Sequence, residues 1–248
     1  MQPGKDQFVM GMRTLEEILL HGPEKLVRIF TSLPKSHALL KRMEAKGIEM
    51  VPLSQHQLTK MVQSDSHQSI VGQIKPRKIW ELKEFVQVER VSCFLLLLDQ
   101  IFDPQNFGAI MRSAECFGVD GVIWSKNRGT DLTPVVSKSS SGASEFISLI
   151  RVSNLATSID LLKKAGFEVI ASILNPKSES AYGFSYSPLT VLILGSEGEG
   201  IQPLLRQKAD RSIYLPMKGK IQSLNVAQSA AAFLALRPLQ AQGGLTMT

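Results

Sequence analysis

CFLLLLDQIFDPQNFGAIMRSAECFGVDGVIWS, residues 93–125, decides the fold. CFLLLLD is apolar without alternation, the pattern of a strand buried on both faces rather than one. DGVIWS closes the stretch as a second strand of the same kind. Between them Asp103 suits a helix N-cap and Pro104 the first helical position. Strand, helix and strand in that order predict a parallel pair joined by a crossover helix. Two polar residues, Asn106 and Arg112, are set into this hydrophobic unit. Six residues apart, they would stand roughly 120° from each other around a regular helix. They share a site only if that helix begins after Asn106. Taken alone, a cap and a surface arginine explain the stretch without any site.

Outward from this unit the alternation continues. SLIRV, FEVIAS, TVLILG and SIYLP read as further strands with helices or loops between them, which extends the parallel sheet. SKSSSGASEF reads as a serine-rich loop. Upstream, shorter units alternate: TLEEILLHG as helix, LVRIFTS as strand, SHALLKRMEAKG as helix with Gly47 as its C-cap. IEMVPL, SQHQLTKMVQ and SIVGQIK follow as strand, helix and strand. KPRKIWELKEFVQVER interrupts the pattern and reads as a linker ending in a short helix. The expected organisation is a small α/β domain over residues 1–76, a linker over 77–91 and a larger α/β domain over 92–248.

Composition narrows the function. A chain of 248 residues with 20% charged side chains is long and apolar enough to bury a core. A formal charge of +6 permits a polyanionic partner without requiring one. Cys93 and Cys116 form no metal-binding spacing and are expected to be buried free thiols, which fits a reducing, cytoplasmic setting. No secretory or transit pattern is read at the start of the sequence, and CFLLLL is too short to span a bilayer. All four histidines, His21, His37, His56 and His67, precede the larger domain. That domain therefore cannot build a Ser-His-Asp triad. His67 and Gln68 are either RNA contacts or a loop entering a strand.

Ligands of open α/β sheets collect at the carboxyl ends of the strands. Two more such ends are unusual. TVLILGSEGEGI runs a buried strand into a loop with glycines at 195, 198 and 200 and acids at 197 and 199. The spacing matches neither a dinucleotide nor a phosphate-loop pattern, and two carboxylates would repel phosphate. A neutral or cationic ligand suits it better. SIYLPMKGKIQSLNVAQSAAAFLAL places Ser223, as expected N-cap, and Asn225 at the start of an alanine-rich helix that can pack closely.

In order, D-x-x-x-D-P-x-N-x-G-A-x-x-R-x-A, L-G-S-E-G-E-G and I-Y-L-P-M-x-G-x-x-x-S-L-N-V-A resemble the three motifs of the SpoU-type RNA ribose 2′-O-methyltransferases of the SPOUT superfamily. GMRTLEEIL and HQSIVGQIKP look like the small RNA-binding domain of the branch that methylates a guanosine of large-subunit ribosomal RNA. The resemblance implies S-adenosylmethionine as methyl donor. It implies cofactor contacts at Gly195, Leu215 and Leu224, with Met217 and Asn225 nearby and a weaker case for Leu174. Asn106, Arg112, Glu197, Ser223 and Asn225 match the family's functional positions. On this reading Asn106 and Arg112 face the target ribose and its phosphate, and either a phosphate held by Arg112 or Glu197 accepts the hydroxyl proton. The resemblance further implies a trefoil knot at the C-terminal end, with IYLPMKGKIQSLNVA threaded, and a homodimer built over it. Topology rules alone would predict an unknotted sheet. Transfer RNA is an alternative substrate. A nicotinamide oxidoreductase would need a G-x-G-x-x-G turn, which QIFDPQNFG after the first strand lacks. A non-catalytic RNA-binding protein on the same fold is the other alternative.

Overall fold

The computed structural model describes residues 7–221 and 223–237; the outer ends of both expected domains lie outside them. The chain forms β1 (Gln7–Met10), α1 (Met12–His21), β2 (Leu26–Thr31), α2 (Ala38–Glu44), β3 (Glu49–Pro52), α3 (Gln55–Val62) and β4 (Ile70–Ile74). These precede β5 (Ile79–Trp80), α4 (Leu82–Gln87), β6 (Cys93–Asp99), α5 (Pro104–Cys116), β7 (Gly121–Ser125), α6 (Pro134–Ser139) and β8 (Ser148–Val152). The remainder is α7 (Leu155–Lys164), β9 (Glu168–Ser172), β10 (Glu179–Ser180), β11 (Leu189–Gly195), α8 (Pro203–Lys208), β12 (Arg211–Tyr214) and α9 (Val226–Leu236).

Two sheets result. The first has the order β1-β4-β2-β3, with β2 and β3 parallel and β4 antiparallel to both its neighbours. The second has the order β10-β12-β9-β11-β6-β7-β8-β5, and every described pair in it is parallel. Strand β6 shows why its sequence never alternates. Phe94, Leu96 and Leu98 enter the core under α5 and α9, while Cys93, Leu95 and Leu97 enter the opposite core under α4, α7 and α8. Each leucine so buried contributes about 2 kcal/mol.

The serine-rich stretch is not a loop throughout. Its first serines complete α6, capped by Thr133, and Ala143–Glu145 form a 3-10 turn. Helix α6 lies between α5 and the first sheet, and it meets α5 most closely at Ser139. A Cβ on Gly108 of α5 would stand 1.8 Å from Ser139 Oγ and 2.7 Å from the Val136 carbonyl oxygen. On its other side, Val135 packs against Met10, Leu58 and Val71. Lys138 Nζ donates to the Ser66 carbonyl at 2.5 Å, and Thr14 Oγ1 donates to the Ser137 carbonyl at 3.2 Å. Arg77 forms a buried ion pair with Glu145, whose carbonyl also accepts from Lys25. Residues 77–91 contribute edge strand β5 and helix α4 to the larger sheet.

Other expectations are corrected locally. Helix α2 stops at Glu44 with Ala45 as its C-cap; Gly47, at φ 74°, supplies the left-handed turn two residues later. Cys116 is exposed, whereas Cys93 is buried. His67 is buried, with Nε2 paired to Thr59 Oγ1 at 3.0 Å and Nδ1 accepting from the Ser69 amide at 3.1 Å. Burial lowers its pKa. Gln68 Oε1 accepts from the Met12 amide at 3.0 Å. Both side chains make local hydrogen bonds, the buried His67 with both ring nitrogens and the exposed Gln68 with its Oε1 alone.

Candidate functional site

At the centre of the larger sheet, β6 and β11 end side by side with Asp99 opposite Gly195. Here the loop of residues 196–200 folds back on its own strand. The Gly200 amide donates to the Ser196 carbonyl at 3.0 Å. A Cβ on Gly195 would lie 2.2 Å from Gly200 C and 2.3 Å from Ile201 N, so only glycine fits. Asp99, wholly buried, holds the far end of the loop by accepting from Gln202 N at 2.8 Å and Gln202 Nε2 at 2.6 Å. Arg206 ties the same loop to α8 through the carbonyls of Ile201 and Glu199.

The loop delivers Glu197 to a three-residue cluster. Asn225 Nδ2 donates to Glu197 Oε1 and, at 2.9 Å, to Asn106 Oδ1. Asn106 Nδ2 and the Val226 amide also donate to Glu197 Oε1, each at 3.3 Å. The amide orientations are set by the capping hydrogen bonds. Asn225 Oδ1 accepts from the Ala227 amide at 2.8 Å, which turns Nδ2 toward Glu197 and leaves Asn106 to present its oxygen. Asn225, not Ser223, is therefore the N-cap of α9. Both are capping residue types, and the hydrogen bonds favour the one adjoining the helix. Asp103 caps α5 through the amides of Gln105 and Asn106, so Asn106 already lies in the first turn.

That helix start keeps Arg112 away from the cluster. It is exposed on another face of α5, with no hydrogen bond or ion pair among the described residues. Ser223 is exposed and lines the cavity beside the cluster.

This cavity, about 490 Å³, lies over the carboxyl ends of β9, β11 and β12. Leu174, Gly195, Leu215, Met217 and Leu224 all line it, together with Glu197 and Asn225. Leu174, Met217 and Leu224 are 75%, 44% and 43% exposed, and apolar side chains left bare around one hollow mark a place for a ligand. Sequence reasoning missed Ser172, Tyr214, Ser229 and Phe233, which also line it. It also assigned no role to Asp99, although a carboxylate ending so apolar a strand has to be paired.

Fold and site together define a methyltransferase family. The model of the SpoU rRNA methylase family matches residues 93–235, and the chain belongs to that family. A second model, RNA 2′-O ribose methyltransferase substrate binding, matches residues 8–80. The chain is 32% identical to the 23S rRNA (guanosine-2′-O-)-methyltransferase RlmB of Pseudomonas putida, over 94% of this chain and 96% of that one. It is 30% identical to the RlmB of Acinetobacter baylyi, with the same shares covered. Among solved structures, the SpoU methyltransferase AviRb of Streptomyces viridochromogenes, in complex with the cofactor AdoMet, superposes with a TM-score of 0.76. The match covers 93% of this chain and 88% of that one at 19% identity, a likeness of fold. Family membership removes the nicotinamide oxidoreductase reading. No helix of the described residues is long and apolar enough to cross a membrane.

Proposed function

We propose that this chain transfers a methyl group from S-adenosylmethionine to the ribose 2′-hydroxyl of a guanosine in large-subunit ribosomal RNA. Residues 1–76 serve as the RNA-binding domain, 77–91 as the joining segment and 92–248 as the methyltransferase domain. The observation that carries the reading is the Asn106–Glu197–Asn225 cluster at the edge of the cavity that all five expected cofactor residues line. A volume of about 490 Å³ suits a small cofactor, and Gly195 lets the loop fold back on its own strand and offer its backbone to the cavity. Leu174, Gly195, Leu215, Met217 and Leu224 would hold it. When bound, it supplies a methyl group activated by a sulfonium, whose positive charge suits the acidic loop.

The chain's own residues position the acceptor. Glu197 Oε1 takes three donors, which makes it a brace holding Asn106 and the α9 N-terminus in one geometry. Asn106 then faces the ribose. Arg112, without a hydrogen bond or ion pair among the described residues and about 9 Å further along α5, presents its donor fork to a substrate phosphate. That phosphate, rather than the braced Glu197, accepts the hydroxyl proton; arginine's own pKa is too high for the task. Ser223 lies where it can donate a hydroxyl to the substrate. Bringing hydroxyl and donor to about 3 Å supplies much of the rate.

The protein acts as a homodimer through α9 and the segment before it. We further propose that residues 213–227 are threaded as a trefoil knot. Its support is that α9 docks on α5 after β12 has joined the sheet beside β9.

The test is methyl transfer to ribosomal RNA by the purified chain, with 2′-O-methyl positions mapped. Glu197→Gln keeps the oxygen that braces the cluster and is expected to retain kcat within about threefold, whereas Glu197→Ala loses more than about tenfold. Arg112→Lys is expected to lose about tenfold through its missing fork. RNA binding without calorimetric binding of S-adenosylmethionine would instead establish a non-catalytic RNA-binding protein. Light scattering at micromolar concentration is expected to give twice the 27.3 kDa chain mass.

A further inference from the structure

The cofactor cavity occupies the carboxyl ends of β9, β11 and β12. The carboxyl ends of β7 and β8, on the other side of β6, carry two more hollows. One, of about 480 Å³, is bounded by Ser125, Arg128 and Gln202; the other, of about 610 Å³, by Lys83, Lys126, Arg151 and Lys164. Ser153 and Asn154 line both, so the two adjoin and together make a trench that starts beyond the carboxyl ends of β7 and β8 and runs between α4 and α7.

The trench is cationic. Its walls carry five Lys or Arg side chains, Arg128 and the four just named, against the carboxylates of Glu81 and Asp160. Asp160 is already paired with Lys208 at 2.5 Å, and Arg151 is paired with Asp131 at 2.7 Å. Lys83, Lys126 and Lys164 are exposed and have no carboxylate partner among the described residues. Cations distributed over two adjoining hollows suit a chain of phosphates better than a single small anion.

One end of the trench touches the site. Arg128 Nη1 donates to Gln202 Oε1 at 2.6 Å, and Gln202 donates to Asp99, the residue that fixes the loop carrying Glu197. The order along the rim is thus cofactor cavity, Asn106–Glu197–Asn225 cluster, cationic trench. A nucleotide at the cluster would leave its flanking strand at the trench mouth.

We infer that the trench from Arg128 to Lys164 binds the phosphodiester backbone of the substrate RNA adjoining the target nucleotide. This deepens the methyltransferase reading by giving the larger domain an RNA contact of its own.

The test uses the full chain and its Lys83→Ala/Lys126→Ala/Lys164→Ala variant. Binding of a fluorescein-labelled fragment of large-subunit ribosomal RNA is followed by anisotropy over a range of salt concentrations. Losing three phosphate contacts is expected to reduce the slope of log affinity against log salt by about 2. In methyl transfer, KM for RNA is expected to rise on the order of tenfold. The kcat at saturating RNA and the affinity for S-adenosylmethionine stay at wild-type values. An unchanged salt slope and KM would overturn the inference. The binding measurement needs no turnover. If the wild-type chain methylates nothing yet the variant's slope falls, the trench stands and the enzymatic reading fails.

Discussion

Gly195→Ala tests whether the loop after β11 is built around a missing side chain. The added methyl carbon would lie 2.2 Å from Gly200 C, 2.3 Å from Ile201 N and 2.5 Å from Gly200 O. Ordinary carbon contacts are about 3.5 Å or more, so relief requires a backbone shift of more than about 1 Å. The next residue, Gln202, gives the buried Asp99 its two hydrogen bonds at 2.8 and 2.6 Å, which cannot survive such a shift unaltered. Overpacking costs about 1–3 kcal/mol, and a weakened hydrogen bond to a buried carboxylate adds about 1.5 kcal/mol. A loss of about 2.5–4.5 kcal/mol in urea unfolding follows. Affinity for S-adenosylmethionine, read by calorimetry, should fall more than tenfold, because the displaced backbone lines the cavity. Gly198→Ala is the control. Gly198 has φ 86° with nothing within 4 Å of a built Cβ, so it should cost only about 1–2 kcal/mol of backbone strain. If Gly195→Ala came within 1 kcal/mol of wild type and bound the cofactor within threefold, the loop would not be the rigid cradle described.

The two thiols should separate chemically: a thiol reagent added to the folded chain is expected to modify exposed Cys116 rapidly and buried Cys93 only on unfolding. Arg77→Met alone leaves buried Glu145 without its cation and should cost about 3–5 kcal/mol, whereas Arg77→Met with Glu145→Leu should recover most of it in the same urea titration. Burial pushes the Cys93 thiol up to about 12 from 9.0, helped by the charge of Asp120. It also pushes the Tyr186 hydroxyl up to about 12 from 10.0, opposed by Arg237. A raised folded-state value contributes stability that is complete below the unfolded value and disappears as pH rises through the folded one. Unfolding midpoints should therefore decline between about pH 9 and about pH 12, and Tyr186→Phe should flatten the upper half of that decline.

Most strands were legible because burial on both faces writes an uninterrupted apolar run, as in CFLLLLD and TVLILG. What escaped was structure whose reasons lie elsewhere in the chain. Strand β10 is only Glu179 and Ser180, without apolar content, and Arg211 anchors it by a bidentate pair to Glu179 at 2.9 Å. Helix α6 looked like a loop because serine favours turns, yet its serines belong to a helix that approaches α5 closely where Ser139 meets Gly108. The site was legible through the order of its three motifs, since Asn106, Glu197 and Asn225 are distant in sequence and no local pattern links them. Their meeting depends on cap geometry. Asp99 was visible as the first residue of the motif that contains Asn106 and Arg112, but its hold on Gln202 needed the fold.

On the proposed function, the ion pair between Arg77 and Glu145 would bear on which RNAs can be served. Buried charges do not slide past one another, and Lys138 and Thr14 fasten the same seam. The span from the first sheet to Asn106 is then a fixed gauge rather than a tether. If the chain acts on RNA as proposed, a substrate would be measured against it: one whose fold presents a grip and a ribose at that separation would be accepted, and one that must bend to do so refused.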